Sequence, residues 1–142
     1  MRTLFGIITT LPWLVLLGAC ATNYPAGVKD NQNSLLKQGR IQFGGSTMPA
    51  LIRIERMDPQ RVGRGLLRVV LTMRNKTKKN LWVECRTTFL DERKHVLEQT
   101  NWEMVLLDAR TLSEYTCTSL SKKAADYQVI LRKPAERSLK MP

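Results

Sequence analysis

Between Leu66 and Leu90 the chain carries a two-residue period, and that period constrains its fold more than any other feature. Leu81, Val83, Cys85, Thr87 and Phe89 share one side, and Trp82, Glu84, Arg86 and Thr88 share the other. Successive residues of a strand point to opposite faces in this way, whereas a helix would return to one face every three to four residues. The preceding run, Leu66 to Asn75, is apolar and β-branched, and Leu51 to Met57 alternates again. Turn signals separate these runs: Asp58 to Gly65 with a proline and two glycines, Asn75 to Asn80, and Asp91 to His95. Val96–Gln99, Trp102–Leu107, Thr111–Ser119 and Tyr127–Arg132 read as further strands. Ile41 and Phe43 flank Gln42 in a short edge-strand pattern, and Ser121–Asp126 has room for one helical turn. Six or seven short strands with turns every 8–12 residues predict an all-β, small antiparallel β-sandwich.

The N-terminus reads as an address. Arg2 precedes an uncharged apolar stretch of about sixteen residues that closes on small ones, the layout of a secretory signal peptide. A membrane-spanning helix needs roughly 20 residues, and Pro12 disfavours a continuous one. Leu17-Gly18-Ala19-Cys20 resembles the lipobox of bacterial lipoproteins. That resemblance implies a diacylglycerol on the Cys20 thiol, cleavage before it, and an N-acyl chain such as palmitate on the new amine. Several acyl chains, at about 0.8 kcal/mol per buried CH₂, give stable anchoring. In a Gram-negative cell, Ala21 implies sorting to the outer membrane, facing the periplasm. Otherwise the anchor lies in the cell membrane. The chain then divides into a signal peptide (1–19), lipidated cysteine and flexible tether (20–49), sandwich (50–133) and basic tail (134–142). Cleavage leaves 123 residues and lowers the formal net charge from +11 to +10.

Composition narrows the function. With 43% hydrophobic and 25% charged residues the chain can bury a core. One His and three Cys cannot build a His-rich metal site or a zinc ribbon. No Gly-x-Ser-x-Gly, Walker or zincin pattern occurs, so no catalytic, metal or cofactor site is expected. His95 lies in a charged turn with Asp91 and Glu92, which is the pattern of a solvent-facing residue. A net +11 would suit nucleic acid, but export removes that partner.

With Cys20 given to lipid, Cys85 and Cys117 remain, both on the apolar side of their strands. They bracket 31 residues. In an oxidising compartment a bridge between them would be worth about 3–4 kcal/mol. The alternative is two buried thiols acting as small hydrophobes. The cations also pattern. In a simple meander Lys76, Lys78 and Lys79 cap one end together with Arg110. Arg61, Arg64, Arg93, Lys94, Lys122 and Lys123 fall at the other, balanced by Asp58, Asp91, Glu92 and Asp126. The first end is the purer positive surface, suited to anionic envelope material or an acidic protein face. Trp82 points away from the apolar side and is the better partner-binding aromatic; Trp102 reads as core or edge packing.

Two stretches carry a resemblance to a known family. Leu67 to Thr77 with Leu81 to Asp91, followed by Trp102 and by Ala124 to Leu131, resembles the YcfL-like small periplasmic lipoproteins. The resemblance covers about eighty residues plus the lipobox. It implies an Ig-like sandwich on an envelope anchor and lends no catalytic residues. The expected function is a non-catalytic, lipid-anchored accessory module that presents the sandwich to an envelope protein or an anionic envelope partner. The alternative is an outer-membrane lipoprotein subunit of a secretion system.

Overall fold

A computed structural model describes residues 32–135. The signal stretch, Cys20 and the last seven residues lie outside the described residues. Along the chain come α1 (Gln32–Lys37), β1 (Ile41–Gly44), α2 (Met48–Leu51), β2 (Ile52–Val62) and β3 (Leu66–Asn75). They are followed by β4 (Leu81–Leu90), β5 (Val96–Gln99), β6 (Glu103–Leu107), β7 (Leu112–Thr118) and β8 (Asp126–Arg132). The fold is an all-β sandwich. One sheet has the order β2-β3-β7; the other runs β1-β8-β4, with β5 and β6 sharing the remaining edge of β4. Ten residues of β4 are long enough to seat two short strands end to end.

The two-residue period sets the core. Leu67, Val69, Leu71 and Met73 of β3 face Val83, Cys85 and Phe89 of β4, and Tyr115, Tyr127, Val129 and Leu131 close the space between the sheets. Filling that space with interdigitated side chains is the main favourable term in the fold.

Three features depart from the sequence reading. First, β2 runs on through Pro59 to Val62, and the turn shrinks to Gly63-Arg64-Gly65. Pro59 is tolerated because β2 is an edge strand, where a missing N–H breaks no ladder. Both turn glycines adopt positive φ, 52° and 92°, which side chains resist. A bulge between Ile54 and Arg56 also shifts the register, so that Ile54 and Met57 both point inward.

Second, the stretch assigned to the tether is folded from residue 32. Leu35 and Met48 are fully buried and Ile41 is 1% exposed. These apolar residues are spaced without a period, so only the assembled core reveals their burial. Third, β1 pairs with β8 in parallel, Ile41 opposite Val129 and Gly44 opposite Arg132, which makes this sheet mixed. A Cβ at Gly44 would stand 2.7 Å from that of Arg132, so the close approach requires glycine. The Ser121–Ala125 stretch forms a turn rather than a helical one.

The β3–β4 connection crosses from one sheet to the other, and Asn75 fastens it. Its side chain is wholly buried. Nδ2 donates to the carbonyls of Lys79 (2.9 Å) and Leu107 (2.8 Å), and Oδ1 accepts from the Thr77 amide (2.8 Å). Each unpaired buried polar group costs about 1–3 kcal/mol. Asn75→Ala is therefore expected to destabilise by about 2–4 kcal/mol, against less than about 0.5 kcal/mol for the exposed Lys78→Ala. Urea unfolding followed by tryptophan fluorescence checks both.

Candidate functional site

The end of the sandwich held by Asn75 is the positively charged one. Its first part is the β3–β4 turn. Thr77 Oγ1 donates to the Lys79 carbonyl (2.7 Å) and accepts from the Lys79 amide (3.3 Å), so the turn is braced and Lys78 and Lys79 project from it into solvent. Lys76 is drawn back across the end: its amide donates to Leu51 O and its Nζ to Pro49 O (3.0 Å). The second part is the β6–β7 turn. Thr111 N and Oγ1 both donate to Asp108 O, and Asn80 Oδ1 accepts from Ala109 N. This pinned turn holds Arg110 in the left-handed region, φ 64°.

Between these parts and β2 lies an open cleft of about 500 Å³, lined by Arg53, Arg74, Asn75, Lys76 and Arg110. Arg53 and Arg74 stand directly opposite in the β2–β3 register. Like charges in that position repel. Glu55 relieves the pair, accepting from Arg74 Nε at 2.7 Å and lying 3.8 Å from Arg53 Nε. Of the residues singled out in the sequence, Lys76 and Arg110 line the cleft; Lys78 and Lys79 stand in the adjoining turn. Arg53 and Arg74 were missed. Folding the Leu51–Met57 and Leu66–Asn75 runs into a hairpin would have paired them, but the bulge and the extended β2 hid that register.

Beside this end, Trp82 is 44% exposed and its cross-strand partner Leu106 is 38% exposed. Together they form an apolar patch on the outer face of the mixed sheet. Further along that face, Glu84 is buried beneath an ion pair with Arg132 (Nε–Oε2 2.7 Å). Trp102 stacks with both Arg132 (3.7 Å to the ring centroid) and Arg86 (4.4 Å). The face is thus capped over most of its length and bare at Trp82.

The opposite end is mixed in sign. Asp91, Glu92, Arg93, His95 and Lys123 line a cleft of about 380 Å³. Backbone N–H donors of His95 and Arg93, with the His95 ring 3.3 Å away, hold the Asp91 carboxyl below its ordinary value. Lys94 and Arg40 both pair with Asp126. Among the described residues no group of three or more His, Cys, Asp and Glu side chains is placed to hold a metal ion.

Cys85 and Cys117 lie on strands of opposite sheets and are free thiols, with no bridge between them. Cys117 Sγ donates to Thr87 Oγ1 (3.0 Å), which shares a 3.2 Å hydrogen bond with the Tyr115 hydroxyl. Burial, then the nearby Glu103 and Cys117, pushes the Cys85 thiol up to about 12. Burial raises Cys117 and Tyr115 as well. The thiolate is the reactive form. Iodoacetamide at pH 8 should therefore label Cys85 in the folded protein at least about 100-fold more slowly than in urea. An unreduced intact mass two hydrogens short would establish a bridge instead. An unfolded cysteine ionises near its ordinary 9.0 and folded Cys85 near 12, so above pH 9 the unfolded state binds fewer protons. Stability should be level below pH 9 and fall as pH rises toward 12, which urea titrations across that range would measure.

No protein-family model and no curated protein matches the chain. Solved structures of other proteins share its fold. A crystal structure of cj0090 from Campylobacter jejuni aligns with TM-score 0.58 at 13% identity, covering 68% of this chain and all of that one. A DUF1425 family member from Shewanella sp. pv-4 aligns with TM-score 0.54 at 18% identity, covering 60% of this chain and 80% of that one. The likeness is one of fold, a small β-sandwich.

Proposed function

We propose that this protein is a lipid-anchored, non-catalytic lipoprotein of the bacterial envelope whose sandwich binds an envelope partner through its basic end. The observation that carries the reading is the segregation of charge. Arg53, Arg74, Lys76 and Arg110 share one cleft with Lys78 and Lys79 beside it, next to the exposed Trp82–Leu106 pair. Exposed Trp flanked by cations is a composition favoured at binding hot spots and at anionic surfaces. The lipobox ending in Cys20 supports anchoring. Fold likeness to a DUF1425 family member supports the reading as a YcfL-like lipoprotein.

The geometry of anchoring is bounded. Fully extended, the eleven residues between Cys20 and Gln32 span at most about 40 Å, so the domain would work close to its leaflet. The partner is an envelope protein or anionic envelope material, with no nucleic acid and no cofactor.

Cross-linking in cells followed by mass spectrometry tests this. The wild type should sediment with membranes and yield a reproducible cross-linked partner. Cys20→Ala should leave the membrane fraction and lose that partner. The double variant Lys78→Glu with Trp82→Ala should keep its stability within about 1 kcal/mol, since both positions are exposed, yet cross-link at least about tenfold less. Membrane retention by Cys20→Ala would overturn the anchor, and unchanged cross-linking by the double variant would overturn the role of this surface.

A further inference from the structure

We infer that the cleft between the start of β2, the end of β3 and the β6–β7 turn is a binding site for a phosphate group. The inference rests on the reading above and names the ligand chemistry of its basic end.

Among the described residues four cations converge on one cleft. Outside the cleft, Arg132 is answered by Glu84, and Lys94 and Arg40 by Asp126. Four cations line the cleft and no carboxylate does; Glu55 beside it reaches Arg74 and Arg53. Arg53 stands opposite Arg74, and one Glu55 carboxylate answers two like charges, at 2.7 Å from Arg74 and 3.8 Å from Arg53. An anion seated between them would balance the remaining positive charge.

The guanidiniums are also positioned. Glu55 takes Arg74 Nε, and Arg110 O lies 3.5 Å from Arg74 Nη1. Arg74 Nη2 is left without a protein partner among the described residues. Arg110 has no side-chain partner among them either, and its backbone is held at φ 64° by the pinned turn. That conformation favours glycine, and an arginine stands there instead. Three arginines and one lysine in a concave site form the donor set that recognises phosphate oxygens in bidentate fashion. A cleft of about 500 Å³ is large enough for a phosphorylated headgroup.

A lipid headgroup and a soluble phosphate offer the same chemistry, and calorimetry on the full chain in an uncharged maltoside detergent separates them. One arm titrates inorganic pyrophosphate and the other dihexanoyl phosphatidylglycerol; citrate is the carboxylate control. At least one phosphate ligand should bind, more weakly as salt rises. Binding of both assigns the site to the phosphate itself; binding of the lipid alone assigns it to a phospholipid headgroup. Arg53→Ala and Arg110→Gly should each weaken binding about tenfold. Glycine suits the backbone at position 110, so that variant keeps its fold, and loss of binding there reports the side chain. Lys122→Ala with Lys123→Ala, at the opposite end, should change affinity less than about twofold.

The inference fails if neither phosphate ligand binds, if citrate binds equally well, or if the lysine pair matters as much as the arginines. Such a failure with Cys20-dependent cross-links intact would leave the envelope reading standing. Phosphate binding without those cross-links would do the reverse.

Discussion

Asn75 is the constraint on which this molecule depends. The chain changes sheets immediately after it, and such a crossing brings backbone groups to the mouth of the sandwich, out of either sheet's ladder and partly out of water. One buried amide serves two carbonyls and one N–H at that point. Its own backbone N–H donates to Thr111 O, which adds the β6–β7 turn to the same junction. Buried polar groups must be paired, and here one side chain of β3 pairs groups of the β3–β4 turn and of β6 in the other sheet. The residues that could act on another molecule hang from the same junction. Arg74 and Lys76 flank Asn75, Lys78 and Lys79 follow in its turn, and Arg110 rides on the turn it holds. Fold stability and surface chemistry therefore share a structural origin.

The electrostatics follow from that placement. Charges spread over a surface are individually weak, since salt screens pairs beyond about 8–10 Å. A concave wall that gathers several of one sign behaves differently, because their fields add where water is partly excluded. Glu84 and Asp126 are spent inside the protein, on Arg132 and on Arg40 with Lys94. At the Asn75 end Arg53, Arg74, Lys76 and Arg110 share one concave wall that no carboxylate lines.

The interior tells a complementary story about Thr87. Alternation puts it on the core face, where a hydroxyl is costly unless paired. It is paired with the Cys117 thiol and the Tyr115 hydroxyl of the opposite sheet. This small polar bridge fixes the relative position of the two sheets at a point where aliphatic packing alone would permit sliding. It also engages the Cys117 sulfur that a bridge to Cys85 would need.

Much of the fold was legible from residue order alone. The period over Leu81–Leu90 placed Val83, Cys85 and Phe89 inside and Trp82 outside, because the strand repeat is a local property of the backbone. The turn residues predict six or seven strands where the described residues form eight, because short strands carry little pattern of their own. The partition of the chain into leader, anchor and domain is likewise a reading of order, and the lipobox at Cys20 lies outside the described residues. Other features needed the tertiary structure. Leu35 and Met48 have no local period, and the Ile41–Phe43 alternation is too short to show its partner, so their burial exists only once the first strand docks beside the last. Arg53 and Arg74 lie 21 positions apart, and a bulge decides that they face each other. Arg110 joins them through a turn between β6 and β7, one strand from each sheet. Sequence determines which face a residue takes within its own strand, because that geometry repeats every two residues. Which strands become neighbours depends on non-local pairing and core packing, and the cleft is a product of those neighbours.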